Sequence, residues 1–99
     1  MKMTQLLYFK TVAESGKISA AAKKLYVTAP AVSIAIANLE KELGVELFDR
    51  SSNRVTLNEQ GKIYFDFVNQ MFAELDQAKQ KVQKMVLREN ALTDSDSVL

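Results

Sequence analysis

The chain has 99 residues, a formal net charge of +1 and 47% hydrophobic residues, enough apolar material for one small core but not for two. It has no cysteine and no histidine, which excludes disulfides, thiolate metal sites and imidazole bases and argues against an enzyme. No apolar run reaches the roughly 18 residues of a membrane span, and the N-terminus lacks the apolar segment of a signal peptide. We therefore expect a cytoplasmic protein with no membrane partner, no metal and no catalytic residues.

The charges are unevenly distributed along the chain. Residues 1–62 carry nine Lys or Arg and six Asp or Glu, whereas residues 63–99 carry four and six. The basic excess therefore belongs to the first part, where an acidic partner such as nucleic acid would bind.

Two helices are predicted in the first 25 residues. The first runs from Thr4, a plausible N-cap, to Ser15, with Gly16 as its stop and with the apolar stripe Leu6, Phe9, Val12 and Ala13. A second, shorter helix should follow Ser19 as its N-cap, with one apolar face formed by Ala21, Ala22 and Leu25. The alanines allow close helix crossing.

A third helix is predicted after the short linker Tyr26-Val27. Thr28 can cap it, and Pro30 falls in its first turn, where the missing N–H costs little. Gly44 should end it. Its predicted buried stripe consists of Val32, Ile36, Leu39 and Leu43.

Two short strands should follow. Val45 and Leu47, then Val55 and Leu57, alternate around the polar segment Ser51-Ser52-Asn53, which predicts a two-stranded hairpin, or wing.

From Asn58, a good N-cap, to about Arg88 the pattern predicts one helix of roughly 45 Å at 1.5 Å per residue. Its apolar residues follow the a/d rhythm of a coiled coil, which indicates a dimer contact through Tyr64, Val68, Met71, Leu75, Ala78, Val82 and Met85. The stripe could instead pack within one chain, but it extends beyond a core of this size. Phe65 and Phe72 lie off the seam and are expected to dock onto the first helix.

The predicted fold is therefore mainly α: a winged helix-turn-helix of three helices and a two-stranded wing, followed by a long dimerisation helix. We assign residues 1–57 to the winged helix-turn-helix, 58–89 to the linker helix, and 90–99 to a flexible tail or the start of a hinge, because that end is rich in Ser and Asp and has no period.

A helix-turn-helix lays its second helix in the major groove of DNA. At 100° per residue, Pro30, Ile34, Ala37, Asn38 and Lys41 lie opposite the buried stripe of the third helix, with Ala31 and Ser33 at its flanks. Hydroxyls and amides at a helix N-terminus suit phosphate, which favours DNA contacts by Thr28 and Ser33 over simple capping and solvation.

Ile34 is an apolar residue that faces outward. It could be a scattered surface residue, but apolar contact with thymine methyl groups is a form of base readout, which predicts A·T-rich half-sites.

Basic side chains supply further candidates. Arg50 and Arg54 flank the hairpin turn and can reach phosphate or a narrow minor groove; the alternative, an exposed pair with Asp49, would contribute only about 0–1 kcal/mol. Lys23 and Lys24 either form a solvated face or contact the backbone. With these, the predicted DNA-binding set is Lys23, Lys24, Thr28, Ala29, Pro30, Ala31, Ser33, Ile34, Ala37, Asn38, Arg50, Asn53 and Arg54.

Residues 4–88 resemble the N-terminal domain of LysR-type transcriptional regulators. The segments that carry the resemblance are Ile18-Ser19-Ala20-Ala21-Ala22-Lys23-Lys24-Leu25, Pro30-Ala31-Val32-Ser33, Leu39-Glu40-Lys41-Glu42-Leu43-Gly44, Leu47-Phe48-Asp49-Arg50 and Val55-Thr56-Leu57-Asn58-Glu59-Gln60-Gly61. The family commonly has Gln-Pro and Ser-Arg-Gln in its third helix, where this chain has Ala29-Pro30 and Ser33-Ile34-Ala35. Long polar base readers are therefore missing.

The resemblance implies a bacterial, nucleoid-associated homodimer that reads an interrupted dyad in double-stranded promoter DNA. It implies no cofactor in these residues, because a small-molecule co-inducer would bind a C-terminal α/β domain that is absent from them. For a full-length protein the resemblance is also compatible with a tetramer and with contact to RNA polymerase. The Asp- and Ser-rich end fits part of a longer chain better than a naturally short protein.

Two other classes of function fit parts of the sequence. The near-neutral charge and the long amphipathic helix would suit a protein-interaction module that binds a partner's helix, but that leaves Arg50 and Arg54 unexplained. An enzyme is disfavoured because Glu40, Glu42 and Glu46 have no His, Cys or phosphate-binding Gly loop beside them.

Overall fold

The computed structural model describes the backbone of residues 1–51 and 54–98 and the side chains of residues 1–51 and 54–90. In this part of the chain the elements are α1 (Met3–Ser15), α2 (Ile18–Leu25), α3 (Ala29–Leu43), β1 (Phe48–Ser51), β2 (Arg54–Leu57) and α4 (Glu59–Val98). The two strands pair antiparallel, with Phe48 opposite Leu57 and Ser51 opposite Arg54. The mainly helical class with a two-stranded wing is therefore confirmed.

The core is formed by the predicted apolar stripes of the first three helices, together with residues of the wing and of α4. Phe9 lies at its centre, fully buried, with ring centroids 5.4 Å from Phe48, 5.6 Å from Tyr64 and 6.4 Å from Phe65. The last contact confirms that Phe65 docks onto the first helix. Ala13, Leu25 and Leu43 complete their stripes but are only half-buried. The other buried apolar residues are Leu6, Val12, Ala21, Ala22, Val32, Ile36, Leu39, Leu47, Val55 and Val68.

The first two helices begin earlier than predicted. The N-cap of α1 is Lys2, not Thr4, because the Lys2 carbonyl accepts the Leu6 N–H at 3.2 Å and the Gln5 side chain accepts the Lys2 N–H at 3.0 Å. The N-cap of α2 is Lys17, whose carbonyl accepts the Ala21 N–H at 3.1 Å. Ser19 therefore lies inside the first turn of α2 and does not cap it. In both cases the first backbone hydrogen bond, rather than a capping hydroxyl, determines the start.

The first strand begins later than predicted. Val45 and Leu47 lie before β1, because their backbone N–H groups donate to the Glu40 carbonyl, at 3.2 Å, and to the Glu40 carboxylate, at 2.6 Å. These hydrogen bonds hold the segment against the end of α3, and pairing starts at Phe48. After Phe48 the exposed residues Asp49, Arg50 and Ser51 carry β1 away from the core.

Asn58 caps α4 as predicted: its Oδ1 accepts the Gly61 N–H at 2.7 Å. The helix continues to Val98, past the end predicted near residue 89, because after Gly61 no Gly or Pro interrupts it. The chain divides into two compact units, Met1–Asn69 and Gln70–Leu99. The first contains α1, α2, α3, the wing and the start of α4; the second contains the rest of α4. The docking of Phe72 onto α1 stays a prediction.

Within the described residues no single helix is long and apolar enough to span a membrane. In the same part of the chain α2 and α3 taken together reach that threshold of length and composition, and they are bent by 106° at the turn between them.

Candidate nucleic-acid interface

The turn between α2 and α3 determines how α3 is presented. Tyr26 has a left-handed backbone with φ of 57°, and its N–H donates to the Lys23 carbonyl, while the Val27 N–H donates to the Ala22 carbonyl at 3.1 Å. Thr28 then caps α3 as predicted, its Oγ1 accepting the Ala31 N–H at 3.3 Å. The 106° bend lies within the range of about 90–120° typical of a helix-turn-helix.

The outer face of α3 is the one predicted. Pro30, Ile34, Ala37, Asn38 and Lys41 are exposed on it, and 60% of the Ile34 side chain is accessible. Ala29, Ala31 and Ser33 at its edges are half-buried, and Thr28 is exposed just before the helix. The face is therefore open to a groove, and its long polar side chains are few, as the sequence predicts.

Arg50 and Arg54 lie on the two strands of the wing, and both are exposed. Among the described residues the salt bridges join the Met1 amino group to Glu42 and Lys10 to Glu14. In this part of the chain the alternative of an Arg50–Asp49 pair is therefore not realised, and both guanidinium groups can meet an external anion. Asn53, the remaining predicted wing residue, lies outside the described residues.

An open cleft of about 450 Å³ separates the wing from the starts of α2 and α3. Its lining consists of Lys17, Ile18, Ser19, Ala29, Arg50, Arg54 and Val55. Lys17 and Ser19 were missed by the sequence reasoning, which treated Ser19 as a cap and looked for basic residues of the second helix at Lys23 and Lys24. Those two lysines are exposed in the last turn of α2 and do not line the cleft.

The residues predicted to form the dimer seam divide into two sets. Val68 is fully buried, and half-buried Tyr64 packs on Phe9, so these two belong to the core of the first unit. Burial, and secondarily the Glu42 carboxylate, raises the pKa of the Tyr64 hydroxyl above 10.0. Met71 is half-buried, whereas Leu75, Ala78, Val82 and Met85 are exposed in the second unit.

No cluster of three or more His, Cys, Asp or Glu that could hold a metal ion occurs within the described residues. What the described part offers is an exposed helix face, two arginines without salt bridges and a basic cleft, all within the first unit.

Helix order, turn geometry and wing define this protein as a winged helix-turn-helix DNA-binding domain. A family model for bacterial regulatory helix-turn-helix proteins of the lysR family matches residues 3–62. The chain belongs to that family: it contains the DNA-binding domain of a LysR-type transcriptional regulator.

One similar relative is the uncharacterized HTH-type transcriptional regulator YybE of Bacillus subtilis (strain 168). It is 41% identical over 86 residues, which cover 87% of this chain but only 30% of that protein. This chain therefore spans less than a third of YybE.

Two of the similar solved structures are DNA complexes. One is the BenM_DBD/catB site 1 DNA complex, with a TM-score of 0.83, 30% identity and coverage of 87% of this chain and 96% of that one. The other is the CbnR_DBD–DNA complex, with a TM-score of 0.80, 30% identity and coverage of 87% and 99%.

Proposed function

We propose that the chain binds double-stranded promoter DNA as a homodimer and reads an interrupted dyad, and that the full-length protein regulates transcription through this binding. In each protomer α3 enters the major groove, and the wing meets the flanking backbone or minor groove. The observation that carries this proposal is the exposed outer face of α3, presented at 106° to α2 beside Arg50 and Arg54. The BenM and CbnR domains named above, which share this fold, were solved as complexes with DNA.

The second unit supports a dimer. Three large apolar residues of its described part are exposed: Leu75 is 48% accessible, Val82 60% and Met85 63%. With Ala78 these residues repeat at a/d spacing, and such a stripe is buried when a second helix packs along it. Met71 continues the same a/d spacing and is half-buried. A second copy of the chain offers the complementary stripe by symmetry.

Base readout on α3 depends on small and apolar side chains. Ala29, Ala31, Ser33 and Ala37 allow close approach to base edges, Asn38 can hydrogen-bond to them, and Ile34 can contact thymine methyl groups. We therefore propose a preference for A·T-rich half-sites, with weaker base discrimination than domains that use Gln and Arg at these positions.

A charge placed on the recognition face tests DNA binding directly. Ala37→Glu puts a carboxylate on the exposed face of α3 without altering the core, and repulsion from phosphate should weaken binding to duplex DNA at least about tenfold. Ala73→Glu makes the same change on the exposed surface of α4 and serves as the control. The two variants and the unmodified chain are compared by fluorescence anisotropy with a labelled duplex at fixed salt.

Equal binding by all three proteins would overturn the placement of α3 in the groove. No binding by the unmodified chain would overturn the DNA-binding function and favour a protein-interaction module.

For the full-length protein we propose a co-inducer-binding domain after α4, action on DNA in the cytoplasm, and no catalytic activity. Assembly to a tetramer and contact with RNA polymerase are proposed for that protein alone. The support is that the relatives are named as transcriptional regulators and that this chain covers only 30% of YybE.

A further inference from the structure

Three cationic side chains surround the cleft between the wing and the first turn of α2. Lys17 comes from the residue that precedes α2, and Arg50 and Arg54 come from the two strands of the wing. The Ser19 hydroxyl lies in the same lining. The cleft therefore offers one ammonium, two guanidinium groups and a hydroxyl, all groups that donate hydrogen bonds to phosphate oxygens.

A backbone hydrogen bond holds the sides of the cleft together. The Val55 N–H of β2 donates to the Gly16 carbonyl at 3.0 Å, which joins the wing to the α1–α2 turn directly beside Lys17. Gly16 has φ of 74°, a left-handed conformation that a side chain would disfavour, and it ends α1 directly before Lys17. Lys17 and Arg54 each neighbour one partner of this hydrogen bond, so their backbone positions are fixed relative to each other.

The charge of the cleft is not balanced from within. None of the described residues in its lining is acidic, and no salt bridge to Lys17, Arg50 or Arg54 occurs within the described part of the chain. Like charges gathered around one cleft repel each other, and an anion placed between them offsets that repulsion. The cleft is open, so an anion that belongs to a polymer can reach it.

The position of the cleft identifies the anion. Ala29, the first residue of α3, lines it, so it lies beside the end of α3 that carries Pro30 and Ser33. When that end of α3 enters a major groove, the sugar-phosphate backbone of the DNA strand that borders the groove runs past the cleft.

We propose that the cleft holds one phosphate of the DNA backbone, with Lys17 and Ser19 as contacts in addition to Arg50 and Arg54. This inference rests on the proposed DNA-binding function. It also assigns the backbone contact of α2 to the start of that helix rather than to Lys23 and Lys24. Because the contact is made to phosphate, it adds affinity without sequence preference.

The test compares variants with single substitutions in α2 or at its N-cap, all measured on one duplex. Lys17→Gln removes one phosphate contact from each protomer of the proposed dimer. It should weaken binding at least roughly tenfold and make the negative slope of log K against log salt less steep by about 1.8, which is twice the roughly 0.9 expected per phosphate. Lys17→Arg keeps the positive charge, so its affinity and its salt slope should match those of the unmodified chain. Ser19→Ala should weaken binding to a smaller extent than Lys17→Gln. Lys24→Gln, which removes the same charge from the last turn, should leave the slope unchanged.

A set of duplexes, each with one neutral methylphosphonate, then identifies the phosphate. At one position in each half-site the substitution should weaken the unmodified chain but have no further effect on Lys17→Gln, because both changes remove the same contact. Additive losses at every position, or equal slopes for Lys17→Gln and the unmodified chain, would overturn the inference while DNA binding stands. If the unmodified chain does not bind the duplex, the proposed function fails, and the inference fails with it.

Discussion

Tyr26 adopts the backbone conformation on which the helix-turn-helix turn depends, although it is not a glycine. Its φ is 57°, and 95% of the residue is accessible, so no packing compensates for the strain. A left-handed conformation costs an L-residue about 1–2 kcal/mol, less for Asn, whose side chain can hydrogen-bond locally. The sequence predicts a linker at Tyr26-Val27. It does not predict the strained backbone of Tyr26, because an aromatic residue, unlike glycine or asparagine, does not indicate a positive φ.

Replacing the tyrosine therefore tests whether the strain is real. Tyr26→Asn should raise the free energy of unfolding by about 0.5–1 kcal/mol, because it relieves the left-handed conformation without removing buried surface. Tyr26→Ala removes the ring but keeps the strain, so it should not stabilise. Urea denaturation at fixed protein concentration measures both, and equal stability of the two variants would contradict this explanation.

At the scale of the elements, periodicity predicted which faces are buried but not where the elements begin. The α3 stripe and its opposite face agree with the structure because a helix of 15 residues repeats the signal several times. The starts of α1 and α2 and the position of β1 depend on a few hydrogen bonds at Lys2, Lys17 and Glu40, including one to the Glu40 carboxylate. Most of those hydrogen bonds use backbone groups, which nearly every residue has, so they leave no pattern in the sequence.

Gly61 shows why the start of α4 requires a particular residue. The glycine is buried, and a Cβ there would overlap the carbonyl oxygen of Leu47, which already accepts the Asn58 N–H at 3.1 Å. The helix can therefore approach the segment before the wing only without a side chain at this position.

Gly61→Ala should consequently destabilise the chain by about 1–3 kcal/mol, even though alanine is about 1 kcal/mol better than glycine inside a helix. Gln60→Ala changes the exposed neighbouring residue and should stay within about 0.5 kcal/mol of the unmodified chain. Chemical denaturation followed by circular dichroism compares the three proteins. A Gly61→Ala variant as stable as the parent would mean that the helix and Leu47 can separate without cost.

In the whole molecule, the dimer contact predicted from the heptad spacing of α4 includes both buried and exposed residues. The rhythm from Tyr64 to Met85 is continuous in the sequence, yet Val68 belongs to the core and Leu75, Val82 and Met85 are exposed. Apolar spacing alone does not distinguish a residue that packs within the chain from one that meets a partner, and only the exposed set supports a dimer.

Leu75→Lys should therefore dissociate the dimer. The exposed leucine would be buried twice in a symmetric interface, so its loss should cost about 3 kcal/mol or more, which raises the dimer dissociation constant at least about a hundredfold. Ala73→Lys adds the same charge away from the seam and should leave the dimer intact. Sedimentation equilibrium distinguishes the two. A chain that remains dimeric with Leu75→Lys would contradict the proposed interface, and an unmodified chain that is monomeric would contradict the homodimer.

The most direct test of dimeric, sequence-specific reading is the selection of bound sequences from randomised duplex DNA, carried out with the unmodified chain and with Ile34→Ala in parallel. The unmodified chain should enrich an inverted repeat with A·T-rich half-sites whose centres lie roughly 34 Å apart, one turn of the helix. Ile34→Ala should retain the dyad but lose preference at the A·T positions, since it removes the apolar contact with thymine. A pool that shows no enrichment, although the folded dimer binds DNA in a salt-dependent manner, would contradict base reading by α3.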